Sequence, residues 1–89
     1  MSDIANRLRI RAGFRLQWEP VQDCHVLLYP EGMVKLNQSA GEILKRCNGE
    51  YTVAELITDL EQTFQASGLE QEVLAFLHMA QQQKWVNYV

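Results

Sequence analysis

Apolar and polar positions change rhythm several times along this chain. Phe14, Leu16 and Trp18 alternate with Arg15, Gln17 and Glu19, the period of two that marks a half-buried strand, and Pro20 ends the run. "CHVLLY" at residues 24–29 is apolar at nearly every position and predicts a strand that is covered on both faces or lies centrally in its sheet. Pro30, Glu31 and Gly32 form a tight-turn signature, with Pro setting φ and Gly free to take φ > 0, so the strand is expected to return as a hairpin through Met33 to Leu36. The rhythm then switches abruptly. Met33 to Leu36 alternates, whereas Ala40, Ile43, Leu44 and Cys47 fall on one helical face.

Three helices are predicted from there on. Ser39 with Glu42, Thr52 with Glu55, and Ser67 with Glu70 each match the S/T-x-x-E capping box, in which side chains satisfy the free amides of a first turn. Gly49 is read as the left-handed residue that ends the first helix. Val53, Leu56, Ile57, Leu60 and Phe64 stripe the second, which is expected to stop near Ser67 and Gly68. Leu69, Val73, Phe76, Leu77 and Ala80 stripe the third, after which "KWVNYV" alternates again as a short extended tail. These stripes are first of all core, because burial of an apolar face supplies most of a helix's stability. Residues 1–12 read as a flexible basic lead-in and residues 13–89 as the domain. The expected fold class is α+β and winged helix-turn-helix-like, with three N-terminal antiparallel strands followed by three helices.

Composition narrows the picture without naming a chemistry. Eighty-nine residues that are 47% hydrophobic suit one domain around one modest core. The net charge of -3 is unevenly spread: residues 1–46 carry seven Lys or Arg against five acids, and residues 47–89 carry one against six. Arg7, Arg9, Arg11 and Arg15 supply much of the basic half, either as a solvated arm or as a surface for an acidic partner. No apolar run approaches the roughly 18 residues of a membrane span, and the N-terminus lacks a signal-peptide core, so a cytoplasmic protein with no membrane partner is expected. Cys24 and Cys47 make no CxxC pair and are expected as reduced thiols. With His25 and His78 they lack the paired spacing of a zinc site, and no metal is expected.

Catalytic motifs are missing as well. There is no P-loop, dinucleotide fingerprint or carboxylate pair, and neither His lies in a recognisable motif, so an enzyme is not expected. The second and third helices suggest a helix-turn-helix, but the would-be recognition helix opens with Glu70 and Glu72 where a duplex would meet Arg or Lys, and no nucleic-acid partner is expected. The third strand is different. At the margin of a three-stranded sheet it would carry unpaired N–H and C=O groups, to which an extended peptide could add as a further strand. Met33 and Lys35 would point to one side of it and Val34 and Leu36 to the other. An ordinary edge blunted by Lys35 is the alternative, and the residues alone leave both open.

"LLYPEG" at Leu27 to Gly32, "VKLN" at Val34 to Asn37, "GEIL" at Gly41 to Leu44, "CNG" at Cys47 to Gly49 and "TVAEL" at Thr52 to Leu56 together resemble the PqqD family of pyrroloquinoline quinone biosynthesis. So do "VLAFL" at Val73 to Leu77 and "KWV" at Lys84 to Val86. The likeness runs from about Phe14 to Val86 and departs at Asn48, where the family usually has Asp; Asn tolerates the same left-handed turn. The chain is expected to be a complete, stand-alone PqqD rather than part of a fused protein. The resemblance implies a RiPP recognition element: a non-catalytic chaperone, without a cofactor, that binds the precursor peptide PqqA and presents it to the radical-SAM enzyme PqqE. It further implies a guest strand beside Met33, Val34, Lys35, Leu36 and Asn37, in a groove walled by Val73, Phe76, Leu77 and Ala80. A monomer is expected, with strand exchange into a homodimer as the other outcome of an open edge. The alternative functions are a winged-helix DNA-binding protein and a structural assembly protein.

Overall fold

A computed structural model describes residues 5–89. Its elements run β1 (Arg7–Ile10), β2 (Arg15–Glu19), β3 (Cys24–Tyr29), β4 (Gly32–Lys35), α1 (Gln38–Lys45), β5 (Asn48–Thr52), α2 (Val53–Thr63), α3 (Glu70–Gln82) and β6 (Val86–Tyr88). The fold is therefore mixed α and β, but strands and helices interleave instead of forming two blocks. One strand separates α1 from α2, and the expected extended tail pairs as the last strand.

Two three-stranded antiparallel sheets result. β2, β3 and β4 form a meander in which Trp18 lies opposite His25 and Leu27 opposite Val34. β3 takes the middle, as its unbroken apolar run requires, with Val26 and Leu27 fully buried. The second sheet has the order β5-β1-β6 and collects strands from the start, middle and end of the chain.

The second sheet corrects the expectation of a loose lead-in at residues 7–10. β1 is its central strand: Leu8 is 3% exposed, Ile10 packs on the core, and Arg9 lies opposite both Asn48 and Asn87. Ordering this segment is offset by two ladders and by burial of Leu8, worth about 1.5–3 kcal/mol. Connections beyond the strand hold it further, since the Val53 amide donates to the Asn6 carbonyl (2.8 Å) and the Arg11 amide to that of Trp85 (2.9 Å). The rest of the expected lead-in includes residues 1–4, which lie outside the described residues.

Helix ends also depart from the predicted signals. The Thr52–Glu55 capping box is present in both directions, with Thr52 Oγ1 accepting from the Glu55 amide and Glu55 Oε1 from the Thr52 amide. α1 begins earlier than the Ser39 box implies, because Asn37 Oδ1 already accepts from the Ala40 amide at 2.8 Å. α3 is not capped by Ser67. The Leu69 amide is satisfied instead by the Glu61 carboxylate, at 3.0 Å. α2 stops at Thr63, before Ser67 and Gly68, through Gln65 at φ 51, with the Ala66 amide reaching back to the Glu61 carbonyl in a Schellman pattern. Lys84, at φ 65, ends α3 in the same way. Gly49 has φ 83 but sits within β5, not at the end of α1.

α1 is fixed to its neighbours by two devices. Against β3 the approach is so close that a Cβ on Gly41 would lie 2.6 Å from His25 Nδ1. Towards α2, the buried Arg46 guanidinium donates to the Glu42 carboxylate (2.8 Å), the Asp59 carboxylate and Thr63 Oγ1 (3.1 Å). Burial alone would lower its pKa, but the hydrogen bonds and charges of Glu42 and Asp59 outweigh that and raise it above its ordinary value.

Candidate functional site

β4 is a sheet margin whose free groups can be assigned residue by residue. The Leu36 amide donates to the His25 carbonyl at 3.0 Å, and hydrogen-bonded pairs alternate along an antiparallel ladder. Val34 therefore turns its N–H and C=O towards β3, whereas Met33 and Lys35 turn theirs away from the sheet. Among the described residues no strand pairs with that outer side. The side chains divide as the alternation predicts, with Val34 and Leu36 packed inward, Lys35 exposed and Met33 49% exposed.

At Asn37, where β4 gives way to α1, the margin runs into an apolar groove of about 690 Å³ between α1, the end of α2 and α3. Ala40, Ile43, Leu60 and Val73 are the buried residues beneath it, and Phe64, Leu69, Phe76 and Met79 are its more exposed sides. Phe76 also meets Trp85, with ring centroids 6.5 Å apart at 53°. Glu72 is the one charged residue of this lining. Apolar walls with a few polar groups are the usual make-up of a recognition site.

The predicted site residues separate into three places. Asn37, Val73 and Phe76 line the groove, and Met33, Val34 and Lys35 form the margin that leads to it. Leu36, Leu77 and Ala80 are buried in the core cluster and are not in the groove lining. Asn37 Oδ1 is engaged in capping α1. Sequence reasoning missed Phe64, Leu69 as a groove wall, and Met79. Met79 lies three residues beyond Phe76 and four beyond Ala75, so a second, shallower apolar stripe on α3, rotated off the core stripe, was the available signal.

The titratable groups support the frame. Burial pushes the Cys47 thiol up to about 12, and its Sγ donates to the Ile43 carbonyl, which leaves it unreactive near neutrality. Glu55 is held below the ordinary carboxylate range, chiefly by the Thr52 amide. His25 stands edge-on to Trp18 and backs onto Gly41. Cys24 and Cys47 are free thiols, and no group of three or more His, Cys, Asp or Glu among the described residues could hold a metal ion. No helix among them is long and apolar enough to cross a membrane.

The mixed sheet-and-helix fold that carries this strand margin and groove has a solved counterpart. The fold is similar, at TM-score 0.75 and 32% identity over 90% of this chain and 87% of the other, to the solution NMR structure of the PqqD truncation of Methylobacterium extorquens PqqCD. That protein is described as a functional, stand-alone RiPP recognition element. The chain belongs to the PqqD family, Coenzyme PQQ synthesis protein D, whose profile matches residues 24–86. Relatives named PqqA binding protein include one from Pseudomonas aeruginosa, 55% identical over 78 residues covering 86% of this chain and 85% of the relative. Another, from Azotobacter vinelandii, is 49% identical over 79 residues, covering 88% and 86%.

Proposed function

We propose that this chain is a PqqA-binding chaperone that takes up the precursor peptide as an added strand on β4 and presents it to the radical-SAM enzyme PqqE. The single observation that carries the mechanism is the outward-facing backbone of Met33 and Lys35, which leads directly into the groove at Asn37. An extended peptide would gain main-chain hydrogen bonds at the margin and bury apolar side chains against Phe76 and Met79. Little ordering of the receptor is needed, because α1 is tied by Asn37, Gly41 and Arg46 before any guest arrives. The names of the relatives support PqqA as the guest. In this reading the chain performs no chemistry, and β2–β4 with the three helices act as a winged helix-turn-helix-like frame.

The direction of the backbone groups decides the test. Lys35→Pro removes a donor that faces the guest and leaves the β3–β4 ladder whole, a substitution an edge strand tolerates. It is expected to lower PqqA affinity by about tenfold, from the lost main-chain hydrogen bond of about 1 kcal/mol together with the distorted edge. Val34→Pro instead breaks the ladder and is expected to disrupt the hairpin itself. Titration of labelled PqqA into a folded Lys35→Pro variant checks this, and undiminished affinity would sink strand addition at β4.

A further inference from the structure

The function proposed above uses β4 and the groove, and leaves the solvent face of the β5-β1-β6 sheet without a role. That face is basic along its middle strand: Arg7 and Arg9 are exposed there, and the exposed Arg11 follows directly. Two of these side chains are laid in place. Arg7 Nε donates to the Glu50 carbonyl at 3.1 Å. The Arg9 guanidinium lies over Gly49, so that a Cβ there would be 2.9 Å from Nη2 and 3.3 Å from Nε. Gly49 thus leaves the room in which Arg9 rests, on a rigid central strand rather than a floating arm. Among the described residues no carboxylate lies within ion-pair distance of Arg7, Arg9 or Arg11, and the field of Arg7 reaches Glu55 weakly.

Ordered guanidinium groups with free donors are suited to carboxylates, which they bind in a two-pronged fashion that Lys cannot reproduce. Like charges on one strand face repel, so they add nothing to the fold by themselves. Nucleic acid is the poorer occupant, because the chain as a whole is acidic, with Glu70 and Glu72 opening α3. A carrier that hands on a guest must touch the receiving enzyme while its guest site is full, which calls for a second face. We infer that the Arg7–Arg9 face of β1 docks an acidic surface on the enzyme that receives the guest peptide. The inference rests on the chaperone reading above.

Calorimetric titrations of the full chain with PqqA peptide and, separately, of the PqqA-loaded chain with PqqE test it. R7E/R9E is expected to weaken enzyme binding about tenfold or more while PqqA affinity stays within about twofold, and added salt is expected to reduce the difference. R7K/R9K keeps the charge without the fork and is expected to fall between the two. Wild-type affinity for the enzyme in R7E/R9E, or no binding of the enzyme by the wild type, overturns the inference while leaving the PqqA measurement to judge the chaperone reading. A parallel loss of PqqA affinity overturns it too, by moving the stripe into the guest site. So does retention of duplex DNA by the wild type that R7E/R9E abolishes. If R7E/R9E does not fold, R7Q/R9Q carries the same comparisons.

Discussion

The two sheets are assembled in opposite ways. β2, β3 and β4 follow one another through short turns and pair in chain order, whereas β5-β1-β6 brings the described start of the chain between its middle and its end, with Arg9 opposite both Asn48 and Asn87. The local sheet leaves a margin bare at β4. The other spans nearly the whole chain and needs β1 in place before β5 and β6 have anything to pair with. Leu8 and Ile10 face the core while Arg7 and Arg9 face water. Charge in a segment therefore shows which face is wet, and says nothing about whether the segment is folded.

That contrast can be broken at several points. Leu8→Ala has the largest expected effect, a loss of about 2–5 kcal/mol in urea or thermal unfolding, because it empties a core position in the strand both neighbours need. A loss below about 0.5 kcal/mol, the range of surface changes, would return the segment to a dispensable arm. Thr52→Ala, at the junction of β5 and α2, is expected to cost about 1 kcal/mol through the lost cap. Glu55→Gln should flatten the acid side of the stability curve. Glu55 titrates low in the folded chain, so its contribution is present above the unfolded value of about 4.3 and fades as pH falls through the depressed one. Lys84→Gly is expected to act least and in the other direction, stabilising by roughly 0.5 kcal/mol as it relieves a left-handed non-glycine residue between α3 and β6.

What the sequence made legible follows the same division. β2, β3, β4 and the stripes of α1, α2 and α3 carry their own periodicity, and the turn at Pro30 and the cap at Thr52 act within a few residues. β5, "NGEYT", has no apolar alternation and is a strand because β1 offers it a ladder. The "RLRI" of β1 does alternate, but its partners lie about 40 and 80 residues away and leave no local trace. At the site, the alternation placed Met33 and Lys35 on one side of the strand, as found. It could not separate Val73 and Phe76 from Leu77 and Ala80, because one helical stripe supplies both groove and core. The Ser39 and Ser67 boxes were outcompeted by Asn37 and by a carboxylate from the neighbouring helix.

The pairing of the first described strand with the last has a further consequence. The Val89 amide donates to the Arg7 carbonyl at 3.0 Å, so positions 7 and 89 are neighbours in space, in a different sheet from the bare β4 margin. A few added residues would splice them into a continuous hairpin, and new ends could be cut at the β2–β3 turn, where Val21 is 92% exposed. Such a rewired chain would keep every strand pairing described above while moving β1 and β2 from the start of synthesis to its end.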